Sequence, residues 1–159
     1  MDALTNATLA KSFVNASRRD VTRMTLPFDL DTLDWDRLEY LGWTDPKTPQ
    51  RAYAVVPVDG TPRGILLRAV PSTRNQAMCN WCEDITDVAD VRMFSARRAG
   101  ASGRQGNSVA TLLHADFRCP ALVRRLPTAV EGGDPEAFIG RRVENLRARA
   151  EAFARKVMA

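Results

Sequence analysis

Cys79-Asn80-Trp81-Cys82 and His114-Ala115-Asp116-Phe117-Arg118-Cys119 contain every cysteine and the only histidine of the 159-residue chain. The soft metal ligands therefore fall into a C-x2-C pair and an H-x4-C pair, with 31 residues between them. Structural zinc takes four tetrahedral donors, drawn from thiolate and imidazole. A tight turn brings both sulfurs of a C-x2-C pair onto one ion, and a second pair from elsewhere in the chain closes the tetrahedron. Cys79, Cys82, His114 and Cys119 are thus candidate ligands of one structural Zn2+. Two other readings compete. Cys79 and Cys82 can be a redox dithiol, although no βαβ pattern surrounds them. His114 and Cys119 can be a surface imidazole and an unrelated core thiol. Three cysteines do not read as a secreted disulfide framework.

Outward from these pairs the chain has a definite order of parts. Val91–Arg97 alternates as a strand, Ser108–Leu113 returns and delivers His114, and Arg98–Asn107, with three glycines, reads as a long mobile hairpin loop between them. Cys119-Pro120 starts a helix, because proline is tolerated at the first helical position, and Ala121–Leu126 can continue it to Pro127. Upstream, Arg51–Val58 and Gly64–Val70 form a hairpin about Asp59-Gly60, and Pro71-Ser72-Thr73 leads into the first cysteine pair. Residues 5–18 are expected to form a short amphipathic helix capped by Thr5, with Leu9, Phe13 and Ala16 on one face. Residues 29–43, DLDTLDWDRLEYLGW, are expected to form a second helix ended by Gly42. Asp134-Pro135-Glu136 opens a helix of roughly 22 residues, whose stripe is Ile139, Val143, Leu146, Ala150, Phe153 and Val157. That stripe fits packing on the body, or else a self-association face. The fold class is α+β: antiparallel hairpins, N-terminal helices and a long C-terminal helix. The divisions are 1–50, a helical segment; 51–126, a hairpin plus metal-site domain; and 134–159, the C-terminal helix, all within one structural unit.

A knuckle, a β-hairpin and a helix that begins at the last ligand make the arrangement of a treble-clef zinc finger. At these residues the sequence resembles the elongation factor G-binding proteins, the FusB-type fusidic acid resistance or FBP-domain family. The resemblance is carried by Cys79-x-x-Cys82, Val91-Arg92-Met93-Phe94-Ser95-Ala96-Arg97-Arg98-Ala99-Gly100, Gly106-Asn107-Ser108-Val109, Ala115-Asp116-Phe117-x-Cys119 and Arg124. The family pattern in the second pair is C-A-D-x-x-C, and His114 stands at its first position. Imidazole is a competent zinc ligand, so the exchange keeps the site and changes its charge from about −2 to about −1. The resemblance implies a non-enzymatic protein that binds elongation factor G on the ribosome and promotes its release, with zinc holding the binding surface in shape.

Composition narrows the alternatives. The net charge is +4; residues 1–60 sum to −2 and residues 61–159 to +6. Seven arginines and a single acid, Asp116, occupy residues 92–125. Such a face can meet nucleic acid, including rRNA, or an acidic protein. It can also be purely compositional, since 20 of the 23 basic residues are arginine. Trp81 with Arg97, Arg98 and Arg104 is the expected partner-binding face, and Asp116 is an expected hydrogen-bonding support of His114. An enzyme is the weaker expectation: the only histidine is a candidate ligand, and catalytic zinc keeps an open position. A zinc hydrolase would require His114 to be unbound, and a nucleic-acid-binding finger would show steep salt dependence. No apolar run approaches a membrane span, and no signal-like block opens the chain, so a cytoplasmic location is expected.

Overall fold

The computed structural model describes residues 1–71, 77–131 and 133–159. Its centre is a five-stranded antiparallel sheet in sequence order: β1 Leu41–Thr44, β2 Arg51–Val58, β3 Thr61–Ala69, β4 Val91–Arg97 and β5 Ser108–His114. Around it lie α1 Asn6–Ser12, α2 Arg18–Arg23, α3 Gly100–Arg104, α4 Cys119–Leu122 and α5 Pro135–Met158. The apolar run of β2 is nearly continuous because both of its faces are covered. Ala52, Ala54, Val56 and Val58 face one core with Ile65, Leu67, Phe94, Leu113 and the buried side of α5. Tyr53 and Val55 face a second core with Leu41, Trp43, Leu66, Leu9 and Leu30. The period of two along β2 and β3 thus divides one hydrophobic run between two layers.

The hairpin readings hold. Asp59 and Gly60 both take positive φ, +49° and +72°, as the tight turn between β2 and β3 requires. The long helix is capped as expected: the Asp134 carboxylate accepts from the Ala137 N–H at 2.8 Å, and Pro135 opens the first turn. Leu146, Ala150, Phe153 and Val157 are buried, so the stripe packs on the body.

Several expectations fail. Residues 29–43 form no α-helix. They make two 3-10 turns, Leu30–Thr32 and Trp35–Arg37, and then β1. Asp29 accepts the Asp31 N–H at 3.1 Å, and its carbonyl accepts the Thr32 hydroxyl at 2.8 Å, so short polar side chains compete with helical bonding. The segment 1–50 is therefore not wholly helical, and β1 joins the main sheet. Gly42 ends no helix. It lies in β1, where a Cβ would come within 2.4 Å of the Phe117 ring. The expected helix over 5–18 ends at Ser12 as α1, and the next helix, α2, begins only at Arg18. Phe13 and Asn15 leave α1 to lie along β3: the Val14 N–H donates to the Gly64 carbonyl at 2.9 Å, and the Asn15 side chain bonds both Leu66 and Arg97. The expected 98–107 loop contains α3, and its Ala99 N–H donates to the Val157 carbonyl at 2.7 Å. The helix at Cys119 stops at Leu122, because the Arg124 and Arg125 N–H groups make tight i−3 bonds as their side chains turn inward. Ser72 and Thr73, expected in a loop, lie outside the described residues. No helix among the described residues is long and apolar enough to cross a membrane.

Leu146, fully buried on the inner face of α5, is expected on replacement by alanine to cost about 2–5 kcal/mol in denaturant unfolding. Exposed Leu126→Ala is expected to stay within about 0.5 kcal/mol.

Candidate metal centre

The knuckle that carries Cys79 and Cys82 is shaped by backbone bonds. The Asn80 N–H donates to the Leu112 carbonyl of β5, and the Glu83 N–H donates to the Cys79 carbonyl, both at 2.9 Å. Glu83 takes φ +48°, which turns the chain back after the second cysteine. Opposite, β5 pairs Val91 with His114, so the strand ends at the imidazole. Phe117 then takes φ +58° with its ring against Gly42, and the chain re-enters as α4 at Cys119.

These turns bring Cys79, Cys82, His114 and Cys119 together, all buried, with ligand atoms within 4.8 Å of one another. The Cys79 and Cys119 sulfurs are 3.6 Å apart, and Nδ1 of His114 lies 3.6 Å from the sulfurs of Cys82 and Cys119. A tetrahedral zinc with sulfur at about 2.3 Å and nitrogen at about 2.0–2.1 Å requires S···S edges of about 3.8 Å and S···N edges of about 3.6 Å. The donor set fits one structural Zn2+ in number, kind and spacing. Proton affinities register the same crowding. Hydrogen bonds from Cys119 and Cys82 hold the Cys79 thiol far below its usual range, and the neighbouring Cys79 and Cys82 sulfurs push Cys119 up. Burial lowers the His114 imidazole, but bonds to Cys79 and Cys82 outweigh it and raise it to about 11. As zinc ligands the cysteines are thiolates, and the bound ion supplies their counter-charge in this buried site.

The support around the ligands differs from expectation. Nε2 of His114 lies 2.9 Å from the Asp87 backbone carbonyl, so its N–H donates there and Nδ1 faces the sulfurs. Asp116 does not contact the imidazole; it is exposed, accepts from the Arg118 N–H at 3.2 Å, and is a helix-entry residue. A backbone carbonyl leaves no mark in the sequence, which is why Asp87 was not legible there. Trp81 is 1% exposed and cannot be a docking side chain. Its ring meets Tyr40 edge-on at 4.8 Å and Phe153 of α5 at 5.7 Å, so it ties the knuckle to the core.

Sequence reasoning also missed two buried carboxylates. Asp84, two residues after Cys82, takes Arg125 at 2.9 Å, Arg142 of α5, and the Thr86 hydroxyl at 2.6 Å. Burial raises its pKa, but these bonds outweigh it and hold the carboxyl well below the usual range. Glu39 takes Arg124 through two bonds of 2.7 and 2.8 Å. Arg118 pairs with Asp87 at 2.8 Å, and Arg92 with Asp90 at 2.8 Å. Of the seven arginines in 92–125, four are therefore committed to ion pairs. Among the described residues, Arg97, Arg98 and Arg104 pair with no carboxylate.

The model of the FBP C-terminal treble-clef zinc-finger family matches residues 8–157. No curated protein and no solved structure matches the chain.

Protein purified without chelator is expected to carry one zinc per chain by elemental analysis. His114→Cys is expected to retain it, while Cys82→Ser is expected to lose most of it; full zinc in Cys82→Ser would refute the ligand set. Asp84→Ala leaves Arg125 and Arg142 without their shared carboxylate, and is expected to cost about 3 kcal/mol in equilibrium unfolding.

Proposed function

Because the chain belongs to the FBP C-terminal treble-clef zinc-finger family, we propose that it is a non-enzymatic, cytoplasmic binding protein of the translation machinery. It binds elongation factor G and promotes its release from the ribosome, as fusidic acid resistance proteins of this type do. The observation that carries the reading is the buried Cys3His centre of the treble clef. Four donors at tetrahedral spacing fill the coordination sphere of zinc, whereas catalytic zinc keeps a position for water or substrate. The single histidine has Nδ1 toward the sulfurs and Nε2 on a carbonyl, so it has no free nitrogen to act as a base. Zinc here supports a surface.

The exposed apolar residues support a protein partner at the knuckle end. Ile85 is 68% exposed, Leu126 71% and Val130 97%. Ile85 follows Asp84, and Leu126 follows Arg125, so the 2.9 Å Asp84–Arg125 pair holds their segments side by side. Glu131, next to Val130, bonds the same Arg125 at 2.8 Å. Apolar side chains on a braced frame are the usual core of a protein interface.

The test is calorimetric titration of zinc-loaded protein with elongation factor G. Binding is expected, and Ile85→Asp with Leu126→Asp is expected to weaken it about tenfold or more at unchanged zinc content. Failure of the zinc-loaded protein to bind elongation factor G would overturn the reading.

A further inference from the structure

The hairpin tip between β4 and β5 carries a different chemistry from the knuckle end. Arg97 closes β4, Arg98 follows it, and Arg104 ends α3. The Ala99 N–H bond to the Val157 carbonyl, 2.7 Å, sets the last turn of α5 and its exposed Lys156 against this tip. Among the described residues none of these four cations pairs with a carboxylate. Glu151, one turn back on α5, is taken by Arg155 at 2.6 Å, and Arg155 also holds Asp59 at 2.7 Å. Residues 97–108 contain no Asp or Glu and no large apolar side chain; Ser102 stands between Arg98 and Arg104, and Gln105, Asn107 and Ser108 follow.

The tip is also fixed. The Arg98 N–H donates to the Asn107 carbonyl at 3.0 Å, the Asn107 N–H donates to the Ser102 carbonyl at 3.2 Å, and the Asn107 amide donates to the Ser102 hydroxyl at 3.2 Å. Gly103 packs so tightly that a Cβ would lie 1.8 Å from the Arg98 carbonyl oxygen. The guanidinium groups therefore stand on an ordered turn, which lowers the entropy lost on binding.

We propose that this tip docks on the phosphodiester backbone of RNA. A protein interface is usually built around an apolar anchor, and insertion into a membrane surface uses aromatic or leucine side chains; the tip has neither. A phosphate backbone asks only for cations and neutral hydrogen-bond donors, which are what the tip offers. Guanidinium groups match phosphate oxygens two at a time. No exposed aromatic stands among these arginines to stack on bases, so binding follows the backbone and not the sequence. The choice of RNA over DNA rests on the translation reading. The site itself does not: α5 meets Asp84 of the Asp84–Arg125 pair at Arg142 and the tip at Val157, 15 residues or about 22 Å further along at roughly 1.5 Å per residue, so the tip is separate from the apolar surface that this pair braces.

The experiment uses fluorescence anisotropy with a labelled 20-nucleotide oligouridylate, titrated with the zinc-loaded full chain across a salt series. Three variants are compared. Arg97→Ala with Arg98→Ala and Arg104→Ala removes the tip. Arg37→Ala with Lys47→Ala and Arg141→Ala removes equal charge elsewhere, from exposed positions with no ion pair among the described residues. Gly103→Ala distorts the turn and keeps its charge. Wild type is expected to bind with a steep salt slope. The tip variant is expected to lose about 2 from the log–log slope, at roughly 0.7 per phosphate contact, and so about a hundredfold in affinity at 0.1 M salt relative to 1 M. The displaced-charge variant is expected to stay within about threefold of wild type, and Gly103→Ala to weaken binding at unchanged charge. Equal losses in the two charge variants, or no oligouridylate binding by wild type, would overturn the proposal. Elongation factor G titrated against the same proteins separates the two readings: loss of factor binding in the tip variant with RNA binding intact makes the tip a protein site. RNA binding without any factor binding refutes the elongation-factor reading and leaves the tip assignment standing.

Discussion

Three sulfurs and one imidazole nitrogen converge in the interior within 4.8 Å of one another, with three of their pairs at 3.6 Å, the spacing of ligands around one zinc ion. The donors come from two places: a turn after the 77–78 segment, and the junction of β5 with α4. Glu83 and Phe117 take left-handed backbone conformations that non-glycine residues rarely adopt, and both flank ligands. Phe117 is kept there by its ring, which fills the space Gly42 leaves in β1. The strand edge farthest from the metal in sequence thereby helps to set the ligand turn.

Around this centre the structure uses ion pairs where a larger protein would use more core. Asp84 links the knuckle to the turn after α4 and to α5, and Glu39 links the turn before β1 to Arg124. Both carboxylates are fully buried, so removing either side strands a charge in a low-dielectric setting. Trp81 adds an apolar link between the knuckle and α5. Two parts of the surface consequently differ. Around the Asp84–Arg125 pair the arginines are taken by carboxylates and the exposed groups are apolar; at the hairpin tip the arginines pair with no carboxylate among the described residues and the exposed groups are polar.

Much of this was legible in the chain itself. Strands β2 to β5 follow alternation and turn chemistry, and α5 follows a stripe of heptad-like spacing with an Asp-Pro start, because these signals are local. The four donors stood out because the sequence holds no other cysteine or histidine. Residues 29–43 misled because Leu30, Leu33, Leu38 and Leu41 fit a helical period, while Asp29 closes a 3-10 turn and Trp43 continues a strand period. Trp81 misled because position in a knuckle says nothing about exposure. The Asp84 and Glu39 pairs span 41 to 85 residues, and no local pattern marks which arginine folds back on which carboxylate.

The central claim is that zinc holds the knuckle, the β4–β5 hairpin and α4 together, while the β2–β3 hairpin has apolar support of its own on both faces. Hydrogen exchange of the full chain, measured before and after chelation of zinc, tests it most directly. The account predicts that amides of residues 79–125 lose protection on chelation while those of β2 and β3 keep most of theirs. Unchanged protection throughout the chain would contradict a structural role for zinc. Equal loss everywhere would contradict an independently supported central hairpin.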